Sequence, residues 1–404
     1  MSLSVLLVAP TCNRDDVGEA EVTYQWASRL AERHHVTLLT YDKRDRRASI
    51  ADQIPQARVV QWSEPPVVGH FERFNSMLKP GYVPFALRVR RWVRAALRRG
   101  ERFDVAHQLA PVALRYPSAL AGLGIPYLVG PVGGSLGSPA GFADEEGGSP
   151  WYVSLRRLDD VRLRRDPLLR RGFAEADVVI GIGEYVLDSL VSIPLKSFAV
   201  VPDAGVSTLP APVDRSGRSG PVRLLFVGRL VRSKGLVDAI RALSMLATPD
   251  VVLDVVGTGY QRVECEELAR QLGLDGRVTF HGQVAHDEIE GFLRRADIFV
   301  FPSYREPGGI AVVEAMAAGL PCIVSDRGGP AENVDEASGI HVAARDLAEY
   351  PGEIARAIDG LVADPARREA MGEAARRRVA DRLLWDRKVD AIDNLYSRVL
   401  AHAT

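Results

Sequence analysis

The sequence predicts an α/β protein with two doubly wound domains, each built on a parallel β-sheet. Short, apolar, β-branched runs alternate with helix-length segments along most of the chain, which is typical of a parallel sheet covered on both faces. The alternation comes in two series, separated by a Gly-, Pro- and Ser-rich stretch at residues 203–221 that we interpret as a linker. A chain of 404 residues also suits two domains better than one core.

The first series predicts an N-terminal domain over residues 1–202 with seven strands. Its strand-like runs are LSVLLVAP, HVTLLTY, ARVVQW, DVAHQL, PYLVGP, DVVIGI and FAVVP.

The second series predicts a C-terminal domain over residues 222–384 with six strands. Its strand-like runs are VRLLFVGRL, VVLDVVG, VTFHG, IFVFPS, PCIVSD and GIHVA. After residue 344 the pattern is helical only, and we expect the last helix, about 385–404, to cross back to the first domain.

Composition excludes several classes of protein. The chain is 47% hydrophobic and 25% charged with a formal net charge of -1, so it reads as globular, with no charge-based reason to expect nucleic acid. Three widely spaced cysteines indicate neither a disulfide framework nor a zinc site. The apolar run at the N-terminus is short enough to be a first strand, and no stretch approaches the ~18 apolar residues of a membrane span. We expect a cytoplasmic protein.

The passage FVFPSYREPGGIAVVEAMAAGLPCIVSD, residues 299–326, carries the most specific signal. Ligands of open parallel sheets bind beyond the carboxyl ends of the strands, and this loop lies there. Gly308 and Gly309 precede a good helix, so their amides, with those of Ile310 and Ala311, form a helix N-terminus suited to phosphate.

Two carboxylates flank those glycines. Glu306 lies in the loop and Glu314 inside the helix, and carboxylates can accept hydrogen bonds from sugar hydroxyls. We therefore interpret the passage as a nucleotide-sugar site, with Glu314 on the ribose and Glu306 on the transferred sugar. Taken singly, each glutamate could instead be a solvated loop residue or a charge that complements the helix dipole.

A second loop, FVGRLVRSKGL, places Arg229 and Lys234 between a strand and a helix. Two cations at this spacing can bind a diphosphate, the arginine as a fork and the lysine as a point charge. A solvated basic loop explains this stretch equally well. Gly257 and Gly259 in VVGTGYQ lack the third glycine of a dinucleotide fingerprint, and a tight turn accounts for them as well.

Together GRLVRSKG and REPGGIAVVEAMAAGLPCIVSDRGGPAENV resemble the second domain of family 4 retaining glycosyltransferases, the glycosyl transferases group 1. These proteins have two glutamates separated by seven residues, as Glu306 and Glu314 are. The resemblance covers residues 222 to about 380. It implies the GT-B fold, in which two Rossmann-like domains face a cleft, the first binding the acceptor and the second the donor.

By that resemblance, Arg229 and Lys234 bind the donor diphosphate, Glu314 the ribose and Glu306 the donor sugar. The segment around Gln283 and Val284 matches where such enzymes hold the base through the backbone.

In the first domain the resemblance is partial. Gly18 matches a glycine that approaches the donor phosphates, although the chain has Val17-Gly18-Glu19 where the family often has two glycines. For Glu19 the sequence leaves two roles open, a contact with the acceptor or a charge at the N-terminus of the helix.

The family also frequently has a histidine after a central strand, near the reacting carbon, and the residues from Gly130 onward stand in its place here. The amides of Gly133, Gly134 and Ser135 could serve instead, on the acceptor side. His107, at another strand end, is the alternative polar group, although a lone histidine there is more often structural.

Two basic stretches raise the question of peripheral membrane contact. Residues 85–102 have seven arginines against one glutamate, and residues 154–172 have seven arginines against three aspartates. Basic amphipathic helices can lie on anionic membranes, but a helix docked on the sheet with a solvated arginine face is the favoured interpretation.

The sequence therefore predicts a retaining glycosyltransferase that uses a nucleotide-diphosphate sugar, by family analogy a UDP-sugar, and no cofactor. No D-x-D metal motif occurs in the chain, so we expect the two cations to replace a divalent ion. The alternatives are a sugar-nucleotide 2-epimerase on the same scaffold, a glycosidase, and a non-enzymatic regulator that binds a nucleotide sugar. The acceptor, whether polysaccharide, lipid-linked glycan or natural-product aglycone, is not encoded in any readable motif.

Overall fold

A computed structural model describes residues 2–16, 18–42, 49–64, 79, 81–134, 136–142, 157–215 and 217–403. The chain divides into two compact units. The first comprises residues 1–135, 151–203 and 388–404, and the second comprises residues 136–150 and 204–387.

Thirteen strands are described. They are β1 Ser4–Val8, β2 His35–Asp42, β3 Arg58–Ser63, β4 Val105–Gln108, β5 Tyr127–Val132, β6 Val178–Gly181, β7 Phe198–Val200, β8 Val222–Val227, β9 Val251–Val256, β10 Val278–Gly282, β11 Ile298–Phe301, β12 Cys322–Ser325 and β13 Gly339–Val342.

The α-helices among the described residues are α1 Glu19–Arg33, α2 Ile50–Gln53, α3 Tyr82–Arg98, α4 Arg157–Arg165, α5 Pro167–Ala174, α6 Tyr185–Leu190, α7 Leu236–Ser244, α8 Arg262–Gln271, α9 His286–Arg295, α10 Ile310–Ala317, α11 Gly328–Asn333, α12 Tyr350–Ala363, α13 Pro365–Arg378 and α14 Trp385–Ala403.

Each unit contains one parallel sheet, as the two series of apolar runs predict. The first sheet has the order β3-β2-β1-β4-β5-β6-β7, and the second has β10-β9-β8-β11-β12-β13. The central strands β4, β5, β6, β11 and β12 are buried along their whole length, which is why most of their residues are apolar. The strand order reverses between β1 and β4 and between β8 and β11, so the loops after these strands are where ligands of such sheets bind.

The C-terminal helix belongs partly to the first unit, as the sequence predicts. From Lys388 onward α14 packs with the first unit. Arg33 at the end of α1 donates to Asp390 at 2.7 Å and to Asp393 at 2.8 Å, and His34 Nε2 lies 2.8 Å from Asp393.

The basic segment 85–102 forms most of α3, and its apolar face is buried. Phe85, Val89 and Val93 are fully buried in the core of the first unit. Arg90 on the same helix donates to the Ala119 and Ala121 carbonyls at 3.1 and 2.6 Å. These contacts favour the docked helix over membrane contact for this segment. No helix in the described part of the chain is long and apolar enough to cross a bilayer.

Two features depart from the predicted domain bounds. Among the described residues, 136–142, predicted to belong to the first domain, belong to the second unit. The predicted linker 203–221 joins the second unit from Ala204 onward. Arg215 in that stretch donates to the Leu293 carbonyl at 3.0 Å and the Ala296 carbonyl at 2.9 Å, at the end of α9. Arginine capping of helix carbonyls therefore fixes a segment whose composition suggests a free linker.

Candidate functional site

Lys234 and Glu306 form an ion pair at the carboxyl edge of the second sheet, in the loops that follow β8 and β11. The Lys234 side chain is 10% exposed and that of Glu306 is 18% exposed. Arg229, in the same loop as Lys234, is exposed. The two predicted cations therefore differ, because one faces solvent and the other already has an acidic partner.

The local fold explains how Lys234 is held. Residues Arg232–Lys234 form a 3₁₀ turn that ends at Gly235, whose φ is +77°. A Cβ at Gly235 would lie 2.2 Å from the Pro302 carbonyl oxygen, so only glycine allows this approach. Ser303 Oγ donates to the Ser233 carbonyl at 2.9 Å. The β8 and β11 loops are thus joined directly beneath the ion pair.

A buried arginine that sequence reasoning missed supports the same turn. Arg232 binds Asp238 through two hydrogen bonds of 2.6 and 3.1 Å, and its guanidinium lies 5.8 Å from the Tyr304 ring centroid. The Arg232 side chain is 6% exposed and that of Asp238 is fully buried. The spacing RSKGLVD contains both residues, but which basic residue turns inward depends on the fold.

The glycines of VVGTGYQ serve close packing of the loop that carries Arg229. A Cβ at Gly257 would lie 1.9 Å from the Gly228 carbonyl oxygen, and one at Gly259 would lie 2.1 Å from that of Leu230. Leu230 N also donates to the Thr258 carbonyl at 2.9 Å. The pair of glycines therefore has a structural explanation that requires no dinucleotide.

Helix α10 begins as the sequence predicts. Gly309 precedes it in the left-handed conformation, with φ of +81°. Gly308 N donates to Glu306 Oε1 at 3.3 Å, and Asn333 Nδ2 donates to the Gly308 carbonyl at 2.9 Å. The first turn brings the Ile310 and Ala311 amides to the helix N-terminus, where Ile310 is 47% exposed.

Glu314 lies in the second turn of α10, with its side chain 20% exposed. Burial raises the pKa of Glu314 above its ordinary value, and the nearby His286 opposes that shift. His286 Nε2, on an 83% exposed side chain at the start of α9, lies 3.8 Å from Glu314 Oε1. Gln283 and Val284, the predicted base-binding segment, lie between β10 and α9, with Gln283 exposed and Val284 half-buried.

In the first unit, Glu19 opens α1 and holds three neighbours. Its carboxylate pairs with Lys79, accepts from Val112 N at 3.3 Å and lies 3.5 Å from Thr11 Oγ1. Gly18 precedes the helix with φ of +71°, and a Cβ there would meet no atom within 4 Å. Glu19 is therefore both a helix N-terminal charge and a link between the loops after β1 and β4.

His107 is buried within the first unit. Its Nδ1 lies 2.7 Å from Tyr396 Oη on α14, and its Nε2 lies 2.7 Å from the Gly130 carbonyl oxygen. Burial lowers the pKa of His107 to about 4, and the Gly130 hydrogen bond opposes that shift. Both ring nitrogens are engaged by the fold, which is the arrangement of a structural histidine.

Gly133 and Gly134 follow β5, where the family histidine is absent. Gly133 N donates to the Val112 carbonyl at 2.8 Å. A Cβ at Gly133 would lie 2.3 Å from Ile182 Cδ1. Gly134 has φ of +98°. Ser135, the third residue of the predicted group, lies outside the described residues, as do most of residues 64–84.

Among the described residues, no group of three or more histidines, cysteines, aspartates or glutamates could hold a metal ion.

Two family models match the chain in succession. The model "Glycosyl transferase 4-like domain" matches residues 17–202, and "Glycosyl transferases group 1" matches residues 214–378. The chain belongs to the family 4 glycosyltransferases. The first match contains strands β2 to β7 of the first sheet, and the second match contains all six strands of the second sheet.

Solved structures share the GT-B fold of this glycosyltransferase. Sucrose-phosphate synthase from Thermosynechococcus elongatus aligns with a TM-score of 0.64 at 22% identity, over 98% of this chain and 99% of that one. The Anabaena protein HepE in complex with UDP aligns with a TM-score of 0.65 at 18% identity, over 98% and 100%.

The glycogen synthase of Mycobacterium tuberculosis is a curated relative, 36% identical over 185 residues. The match covers 45% of this glycosyltransferase and 44% of that relative, so the chain spans less than half of its length. These matches favour a transferase over the 2-epimerase alternative.

Proposed function

We propose that this glycosyltransferase moves a sugar from a nucleotide-diphosphate sugar, with UDP as the nucleotide, to an acceptor hydroxyl with retention of anomeric configuration. The observation that carries the proposal is the convergence of Lys234, Glu306 and the N-terminus of α10 at the strand-order reversal of the second sheet. A cation, a carboxylate and helix amides at that position match the parts of such a donor.

In this assignment each part of the donor has a partner. The Ile310 and Ala311 amides, with those of the two preceding glycines, bind the diphosphate together with Arg229 and Lys234. Glu314 accepts hydrogen bonds from the ribose hydroxyls, and Glu306 accepts them from the transferred sugar. The backbone at Gln283 and Val284 binds the base. The UDP complex of the HepE protein, which shares the fold, supports the choice of uridine.

The chemistry follows from where charge develops. As the bond between the sugar C1 and the diphosphate oxygen breaks, negative charge grows on the diphosphate, and Arg229, Lys234 and the helix amides stabilise it. The acceptor oxygen bonds to C1 on the same face, and its proton passes to the departing phosphate oxygen. This route needs no protein nucleophile.

We propose that the two cations, rather than a divalent ion, neutralise the leaving diphosphate. Lys234 is well placed for this because its low exposure limits screening by water. On the acceptor side, Glu19 and the Gly133 and Gly134 backbone are the candidates, whereas His107 is held by its two hydrogen bonds.

The test is turnover with a defined donor panel. The full chain is incubated with UDP-sugars and a broad set of acceptors in the presence of EDTA, and product anomers are assigned by NMR. Transfer with retained configuration would support the proposal. Inverted product, or activity that EDTA abolishes, would overturn the corresponding part of it. Release of an epimerised sugar from the donor alone would identify an epimerase instead.

A further inference from the structure

Residues 136–142 of the first half of the sequence pack into the second unit, beside the loop that carries Glu306. We call these residues the anchor segment. Phe142 at its end is fully buried and belongs to the core of the second unit. Its ring centroid lies 4.6 Å from that of Tyr304 and 5.4 Å from that of Tyr350.

Both tyrosines are part of, or bind to, the stretch of chain between β11 and Glu306. Tyr304 lies two residues before Glu306, and the Arg232 guanidinium lies 5.8 Å from the centroid of its ring. Tyr350 Oη donates to the Pro302 carbonyl at 3.1 Å. Phe142 therefore packs against Tyr304, in the segment between β11 and Glu306, and against Tyr350, which binds that segment. Removing the Phe142 ring would leave a cavity beside both tyrosines.

The rest of the anchor segment fits closely against neighbouring backbone. Arg327 Nη2 donates to the Gly137 carbonyl at 2.9 Å. A Cβ at Gly141 would lie 2.5 Å from the Arg345 carbonyl oxygen. At Gly328, a Cβ would lie 2.2 Å from the Glu306 carbonyl oxygen and 2.7 Å from Leu136 Cδ2. Gly328 thus packs closely against both the Glu306 backbone and the Leu136 side chain.

We propose that the anchor segment positions Glu306, with Phe142 as the positioning residue. The inference rests on the proposed function, in which Glu306 reads the donor sugar. Phe142 touches no reacting group. It acts through Tyr304, which lies two residues before Glu306 in the same loop. Because Glu306 pairs with Lys234, a displaced loop would also move the carboxylate that orients this cation.

Two variants test the anchor by different routes. Phe142→Ala removes the ring. Gly141→Ala keeps the Phe142 side chain, but its new Cβ pushes the anchor segment away from the Arg345 carbonyl. Leu361→Ala is the matched control, since Leu361 is fully buried on α12 in the same core. Phe142→Leu restores most of the apolar volume and should rescue function. The readouts are melting temperature, affinity for UDP-glucose and for UDP, and hydrogen exchange of residues 302–309.

We expect both anchor variants to weaken UDP-glucose affinity by about tenfold to a hundredfold and UDP affinity much less, because a small misplacement of a positioned group has effects of this size. Hydrogen exchange at residues 302–309 should speed up in both. The Leu361 variant should lose melting temperature with wild-type affinity.

The inference would be overturned if wild type binds UDP-glucose and both anchor variants match it in affinity and in exchange at residues 302–309. If Phe142→Ala does not fold, Gly141→Ala decides by the same readouts. A wild type that binds no nucleotide sugar would instead overturn the proposed function, and the inference with it.

Discussion

Lys234 and Glu306 pair with each other across 72 residues of sequence, both with side chains that are largely buried. The proposed function assigns the lysine to the donor diphosphate and the glutamate to the donor sugar. In that assignment, Glu306 would hold Lys234 in place before the donor binds, and the diphosphate would compete with this carboxylate for the cation. The pair would then favour a complete donor, which offers partners for both groups, over a bare nucleotide.

Replacing Glu306 by glutamine should separate nucleotide binding from transfer. The amide keeps the shape of the side chain but frees Lys234, so UDP should bind about three- to tenfold tighter. Sugar transfer should fall about a hundredfold or more, because the carboxylate that orients the donor sugar is lost. Calorimetry with UDP and initial rates with a UDP-sugar measure the two effects.

Glu290→Gln is the control for that variant, because Glu290 lies on α9 and pairs with Arg294 at the surface. It should match wild type in both measurements. Weaker UDP binding by Glu306→Gln would show that the carboxylate does not compete for Lys234.

Glu314→Gln should stabilise the protein at alkaline pH and weaken donor binding. Burial raises the pKa of Glu314 in the folded state. Ionisation of this carboxyl is therefore less favourable in the folded protein than in the unfolded chain. A raised carboxyl pKa contributes stability below the unfolded value, and that contribution is lost as pH rises through the folded value. At alkaline pH the free energy of unfolding of the variant should therefore exceed that of wild type by about 1 kcal/mol. This difference should shrink as pH falls. Thermal unfolding across pH checks this, and a less stable variant at alkaline pH would refute it.

Gly257→Ala should move the loop that carries Arg229. The new Cβ would collide with the Gly228 carbonyl oxygen, at a residue whose φ is +132°, and we expect a loss of about 2–4 kcal/mol with weaker UDP binding. Gly273→Ala is the matched control, since Gly273 has φ of +66° but no atom near its Cβ position. Chemical denaturation measures the stability of the two variants, and calorimetry measures their affinity for UDP. Equal losses of stability in the two variants would show that close packing is not the cause.

His107 should contribute to stability in a pH-dependent way and not to donor binding. Its pKa is lowered to about 4 by burial, so the unfolded chain takes up a proton first as pH falls below the ordinary histidine value of about 6.5. The stability that depends on neutral His107 is present above that value and is lost as pH falls through the folded pKa.

His107→Gln should therefore be less stable than wild type at neutral pH, and the difference should shrink toward pH of about 4. Affinity for UDP should be unchanged. A variant that loses transfer but keeps full stability would instead assign His107 to the acceptor side.

The sequence predicted the two sheets well because most residues of the buried parallel strands are apolar, and this signal is local. It also placed Glu306, Gly309 and Glu314 around one helix N-terminus, since their spacing lies within a single loop and helix. It could not predict the Lys234 pair or the packing of Phe142, because these join residues distant in sequence. The burial of Arg232 could not be predicted for a related reason, because the sequence alone does not distinguish a buried arginine from one that faces solvent.

The proposed function requires that the second unit binds a nucleotide-diphosphate sugar through Arg229, Lys234 and the two glutamates. The most direct measurement is calorimetric binding of a UDP-sugar panel to the full chain in EDTA, comparing wild type with Arg229→Ala and Glu314→Ala. We expect one donor to bind wild type and each substitution to weaken that binding by about tenfold or more. Equal binding by all three proteins, or no binding by wild type, would contradict it.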